Sequence, residues 1–95
     1  MEAHPAIATD YESLGTAVHA DGPLDDKTRA LIKLGISTGA RLEGALHSHA
    51  RKALEAGATK DEMRHVVILA IPTIGLPSTM AALTWLEDII SNDMK

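Results

Sequence analysis

Between Val66 and Leu86 the chain carries no charged side chain, a run long enough to cross a bilayer as a single helix. Pro72, Gly75 and Pro77 interrupt it in the middle, and Thr73, Ser78, Thr79 and Thr84 distribute hydroxyls along it. Proline lacks the backbone donor of a helix interior and clashes with the preceding turn, so an unbroken span is disfavoured. The reading that satisfies both halves is two buried helices joined at a bend, in a protein with no membrane partner. Val66, Val67, Ile68, Leu69, Ala70 and Ile71 place apolar groups all round the first of these helices, which must then be covered on every side. One small bundle can hardly supply that cover, so the pattern predicts an oligomer.

Start and stop signals place five helices. Thr9 followed by Glu12 forms a capping-box pattern for a first helix running to about Ala20, ended by the Asp21-Gly22-Pro23 turn. Asp25 is suited to cap the second, on which Leu31, Leu34 and Thr38 share a face and Gly35 and Gly39 permit a close neighbour. The third begins near Leu42 and stops at Gly57, a residue that tolerates the left-handed conformation after a helix end. Thr59 and Glu62 form a second capping box for a helix from about Lys60 to Ile71. Pro77 suits the first turn of a fifth, which ends near Asn92. No alternating strand pattern, linker or low-complexity segment interrupts this order, and the short turns predict antiparallel neighbours in an all-α bundle.

Composition narrows the function classes. A chain of 95 residues buries roughly two-thirds of its unfolded surface, enough for one domain and one modest core. Tyr11 and Trp85 are the only aromatic residues, so that core rests on Leu, Ile, Val, Met and Ala. The absence of cysteine excludes thiol nucleophiles, disulfides and thiolate metal sites within the chain. A formal charge of −4 without a basic cluster makes nucleic acid an unsuitable partner. The N-terminus, MEAHPAIATD, lacks the positive start and continuous apolar core of a secretory signal, and a cytoplasmic location is expected.

The stretch RLEGALHSHARKALEAGAT, from Arg41 to Thr59, is the phrase that most closely fits a known family frame. It resembles the carboxymuconolactone decarboxylase superfamily, which includes the AhpD-type alkylhydroperoxidases. Redox members of that superfamily carry Cys-x-x-Cys, three residues and then His. The cysteine positions are Leu42 and Ala45 here, and the histidine is His49. A Glu that relays protons in those members falls at Ala30, within Thr28-Arg29-Ala30-Leu31-Ile32. Further phrases in family order are DGPLDDKTRALIKL, GATKDEM and IPTIGLPSTMAAL. The resemblance implies an AhpD-like helical bundle assembled as a homotrimer or homohexamer, with sites near subunit contacts. It implies His49 as the catalytic group, and Leu42, Ala45, Ala30, Pro72, Gly75 and Pro77 as candidates for the substrate cleft.

The residues support a narrower chemistry. His49 shares a helix stripe with Leu42, Ala45 and Leu46, which points it to the interior or to a cleft. A neutral imidazole there can move protons at physiological pH. Its own stripe offers no acidic partner, so an apolar cleft closed by the second helix, the Pro72-to-Pro77 bend or another subunit is expected. Glu43 and His47 lie one turn apart, as an ion pair or, in a weaker reading, as two metal ligands. At 100° per residue His47 is about 160° from His49, so His47-Ser48-His49 is a poor chelate. His4 and His19 are expected at the surface, and His65 has no evident partner. The bend could also leave backbone amides free for an anion.

Two functions follow from this reading. One is a cofactor-free acid/base enzyme acting on a small carboxylate or lactone. The other is a non-catalytic binding or assembly module of the same fold. A thiol–disulfide peroxidase cycle requires a thiolate and a partner sulfur, and no residue of the chain supplies either.

Overall fold

The computed structural model describes residues 3–91, and within them it is all-α. The helices are α1 (Pro5–Ala20), α2 (Asp26–Gly39), α3 (Glu43–Glu55), α4 (Lys60–Ile68), the single turn α5 (Ile71–Ile74) and α6 (Leu76–Ile90). Asp25 caps α2 by accepting from the Thr28 backbone N–H at 2.8 Å. The Thr59–Glu62 capping box of α4 is closed by both of its reciprocal bonds, at 2.8 and 3.0 Å. Each bond satisfies a donor that the first helical turn would otherwise leave orphaned.

Two boundaries differ from the sequence expectation. α1 begins at Pro5 rather than at Thr9, because a proline in the first turn has the helical φ already set and Thr9 is absorbed into the helix interior. α4 ends at Ile68 rather than at Ile71. Pro72 cannot donate to the Ile68 carbonyl and its ring excludes the helical approach, so the helix stops four residues before it and restarts as α5. Gly75, at φ 93°, then redirects the chain into α6, whose first turn contains Pro77. The expected end near Asn92 lies outside the described residues.

The core is built around α3, which packs between α2 and α6. Leu46, Ala50 and Ala53 of α3 meet Leu34 of α2, Met63 and Val67 of α4, and Ala82, Leu86 and Ile90 of α6, all buried. The alanines let the helix axes approach, and the larger side chains fill the layers between them. Buried hydroxyls are satisfied within their own helices: Thr38 donates to the Leu34 carbonyl and Thr79 to that of Gly75, each at 2.9 Å. Two ion pairs brace the outside, Lys27 to Glu62 between α2 and α4, and Arg64 to Glu87 between α4 and α6.

α1 is the exception, since none of its residues is buried. Ile7, Tyr11, Leu14 and Val18 recur at i, i+4, i+7 and i+11 and stand exposed along one stripe. Ile32, Ile36, Ile68, Leu69 and Ile71 also face outward. Among the described residues no helix is long and apolar enough to cross a membrane.

Candidate functional site

α2 and α3 carry the candidate site between them. Ala30 and Lys33 are one turn apart on α2, as are His49 and Lys52 on α3, and packing the two helices brings both pairs to one cavity of about 260 Å³. Arg29, Asp26, Glu55 and Ala56 complete the wall from these helices, and His19, near the end of α1, closes it. His19 Nε2 lies 2.8 Å from Lys33 Nζ, a distance at which the ammonium donates to the ring nitrogen. Arg29 is fixed at the rim by donating to the Leu24 carbonyl and to the Asp26 carboxylate.

Three basic side chains face two carboxylates in the cavity, and burial adds to the effect of the charges on its titratable groups. Burial lowers the pKa of His49 below its ordinary value, and the positive charges of Lys33 and Lys52 push in the same direction. The proximity of Lys33 lowers that of His19, with burial second. Lys33 is itself depressed, first by desolvation and then by Lys52 and Arg29. For His49 and Lys33 burial is the larger cause and neighbouring cations the smaller, so each shift favours the neutral form of the group itself. His49 Nδ1 is buried and makes no hydrogen bond.

Of the residues selected from sequence, His49 and Ala30 border this cavity. Leu42 is the exposed N-cap residue of α3, and Ala45 is half-buried one turn before His49. Pro72, Gly75 and Pro77 form the α5–α6 connection, and neither they nor Leu42 and Ala45 are among the residues that line it. The cavity is bordered by three basic and two acidic side chains where an apolar cleft was expected. His19, expected at the surface, is half-buried, whereas His4 and His65 are exposed.

His47 points the other way, toward α6. Its Nε2 is 3.5 Å from Asp88 Oδ2 and makes no hydrogen bond. The two histidines therefore serve opposite sides of α3, as the helix rotation requires.

Arg29, Lys33, Lys52 and His19 were not picked out from sequence. The signal was present as two one-turn pairs, Ala30/Lys33 and His49/Lys52, but it has meaning only once α2 is known to lie against α3.

The sequence model of the carboxymuconolactone decarboxylase family matches residues 5–88, nearly the whole chain. The chain belongs to the carboxymuconolactone decarboxylase family. A relative from Paracoccus denitrificans, an uncharacterized 15.0 kDa protein in the nqo9-nqo10 intergenic region, is 33% identical over 93 residues, covering 94% of this chain and 69% of that protein. Within the family frame, the chain has no cysteine with which to run a thiol cycle.

Proposed function

We propose that this carboxymuconolactone decarboxylase family protein is an acid/base enzyme acting on a small carboxylate or lactone, with His49 as the proton-transfer group. The observation that carries the reading is that His49 lines a cavity shared with Arg29, Lys33 and Lys52, where these cations outnumber the carboxylates of Asp26 and Glu55. The cations would hold a substrate carboxylate, or the oxyanion that develops when a proton leaves the carbon next to a lactone carbonyl. Depression of the His49 pKa favours the neutral ring, the form that can accept that proton and return it elsewhere on the substrate. The cavity suits a ligand of few heavy atoms. A cytoplasmic location belongs to the same reading.

The test is turnover of a panel of small carboxylated lactones, followed by proton NMR, for the native protein and His49→Gln. Turnover by the native protein should fall by roughly 10²–10⁴-fold in the variant, the usual contribution of a positioned proton-transfer group. Helicity should stay unchanged. Equal turnover in both proteins would remove His49 from the chemistry. Binding without turnover in either would favour the module reading.

Self-association as a trimer or hexamer is part of the proposal. The exposed stripe of α1 and the outward Ile68, Leu69 and Ile71 are apolar surface that one chain leaves in water. A second apolar surface, a groove lined by Gly35, Gly39, Val66, Leu69 and Ala70, runs between α2 and α4. Sedimentation should show a species several times the 10.1 kDa chain mass. A monomer at micromolar concentration would count against assembly and leave the His49 chemistry to be judged separately.

A further inference from the structure

On the side of α3 away from His49, Glu43, His47 and Asp88 each offer one ligand atom, and these atoms all lie within 4.8 Å of one another. Helix geometry brings Glu43 and His47 together one turn apart, and the α3–α6 packing adds Asp88 from a distant part of the chain. We infer that Glu43, His47 and Asp88 form a binding site for a divalent first-row transition ion such as zinc, distinct from the His49 cavity.

A simple ion pair accounts for the arrangement less well. His47 Nε2 is shielded from solvent and lies 3.5 Å from Asp88 Oδ2, yet it makes no hydrogen bond. Two donors bound to one tetrahedral ion at about 2.0–2.1 Å stand roughly 3.4 Å apart, and the observed separation matches that spacing. Glu43 is favoured by its place in the first turn of α3, but that preference would be met by any orientation into solvent. A divalent cation is the species that one imidazole and two carboxylates gathered within 4.8 Å can bind together.

The donor set narrows the ion. One imidazole and two carboxylates suit zinc and its neighbours in the first transition row, whereas calcium and magnesium take oxygen ligands. Glu43 and Asp88 are exposed, so the remaining coordination positions would open to water, as in a site with three protein ligands and a fourth exchangeable position.

Calorimetric titration of chelator-treated protein with zinc chloride tests the site, with thermal unfolding as a second readout. One ion per chain and a raised melting temperature are expected. His47→Gln, Asp88→Asn and Glu43→Gln should each weaken affinity at least about tenfold, whereas His49→Gln should bind as the native protein does. Glu43 and Asp88 are exposed, so their variants should fold even if His47→Gln does not, and circular dichroism checks this. Absence of binding by the native protein would overturn the inference. So would affinity unchanged in Asp88→Asn and Glu43→Gln, which would reveal adventitious capture by histidines elsewhere. Neither result bears on turnover at His49.

Discussion

His47 and His49 are separated by one residue and open on opposite chemistry. The His49 side of α3 meets α2 and α1 across a cavity in which Arg29, Lys33 and Lys52 outnumber the acids at its rim. The His47 side meets α6 and gathers two carboxylates around one ring nitrogen. The imidazoles are alike at the outset, and their surroundings differ. Burial and then Lys33 and Lys52 lower the His49 pKa, which fits the proton-transfer role proposed for it, and the carboxylates beside His47 fit the cation proposed there. The difference shows that a short stretch such as His47-Ser48-His49 cannot be read as a unit. On a helix, adjacent letters belong to different sites.

The largest effect that would sharpen this contrast comes from the layer between the two sides. Leu46 is fully buried and packs in the core that fixes α3 against both α2 and α6. Leu46→Ala removes that packing and leaves a cavity, so stability should drop by about 2–5 kcal/mol in denaturant titration. If α3 positions both histidines as one rigid element, zinc affinity and turnover should decline together in the surviving folded protein. Loss of one with full retention of the other would show that the two sides are held independently, by α2 on one side and α6 on the other.

How much of this was legible depended on whether the signal was local. Asp25, Thr59 with Glu62, and Pro77 act through residues within a turn, and their helices start where the sequence places them. The ends of α2 and α3 make the contrast sharper. Both close with the same pair of backbone bonds, Gly57 N to Leu54 O and Ala58 N to Ala53 O in one, Arg41 N to Thr38 O and Leu42 N to Ser37 O in the other. Gly57 at φ 93° announces its stop, but Arg41 occupies the left-handed region at φ 60° with a full side chain. An L-residue there costs roughly 1–2 kcal/mol, so composition gives no warning of the turn. The effect of Pro72 was legible as a break, yet its reach back to Ile68 follows from the carbonyl four residues earlier, which periodicity does not weigh.

The candidate site divides in the same way. His49 and Ala30 could be singled out because the family frame assigns those positions. Lys33 and Lys52 look like ordinary solvated charges on their own helices and become a site only across the α2–α3 contact. His19 was less accessible still, since α1 buries nothing and no apolar pattern says where its last turn rests. Asp88 lies beyond the reach of any spacing rule, because its proximity to His47 depends on how α6 crosses α3.

The smallest expected effect concerns the brace beside Asp88. Arg64 of α4 donates to both carboxylate oxygens of Glu87, at 2.8 and 3.1 Å, which holds α6 one residue away from the proposed cation ligand. The Arg64 bonds lower the Glu87 pKa below its ordinary 4.5, and a further bond from Ser91 acts in the same sense. A carboxylate with a depressed folded-state pKa contributes stability that is fully present above its unfolded value and is lost as pH falls through the folded one. Both partners are more than a third exposed, so solvent screening keeps the gain small. The melting temperature of the native protein should therefore decline slightly more than that of Glu87→Gln as pH drops from about 5 to 3, with the two curves converging at the acid end. Parallel curves over that window would show that the pair contributes nothing to the α4–α6 contact. In that case the placement of Asp88 rests on Leu86 and Ile90, whose burial in the core is independent of pH.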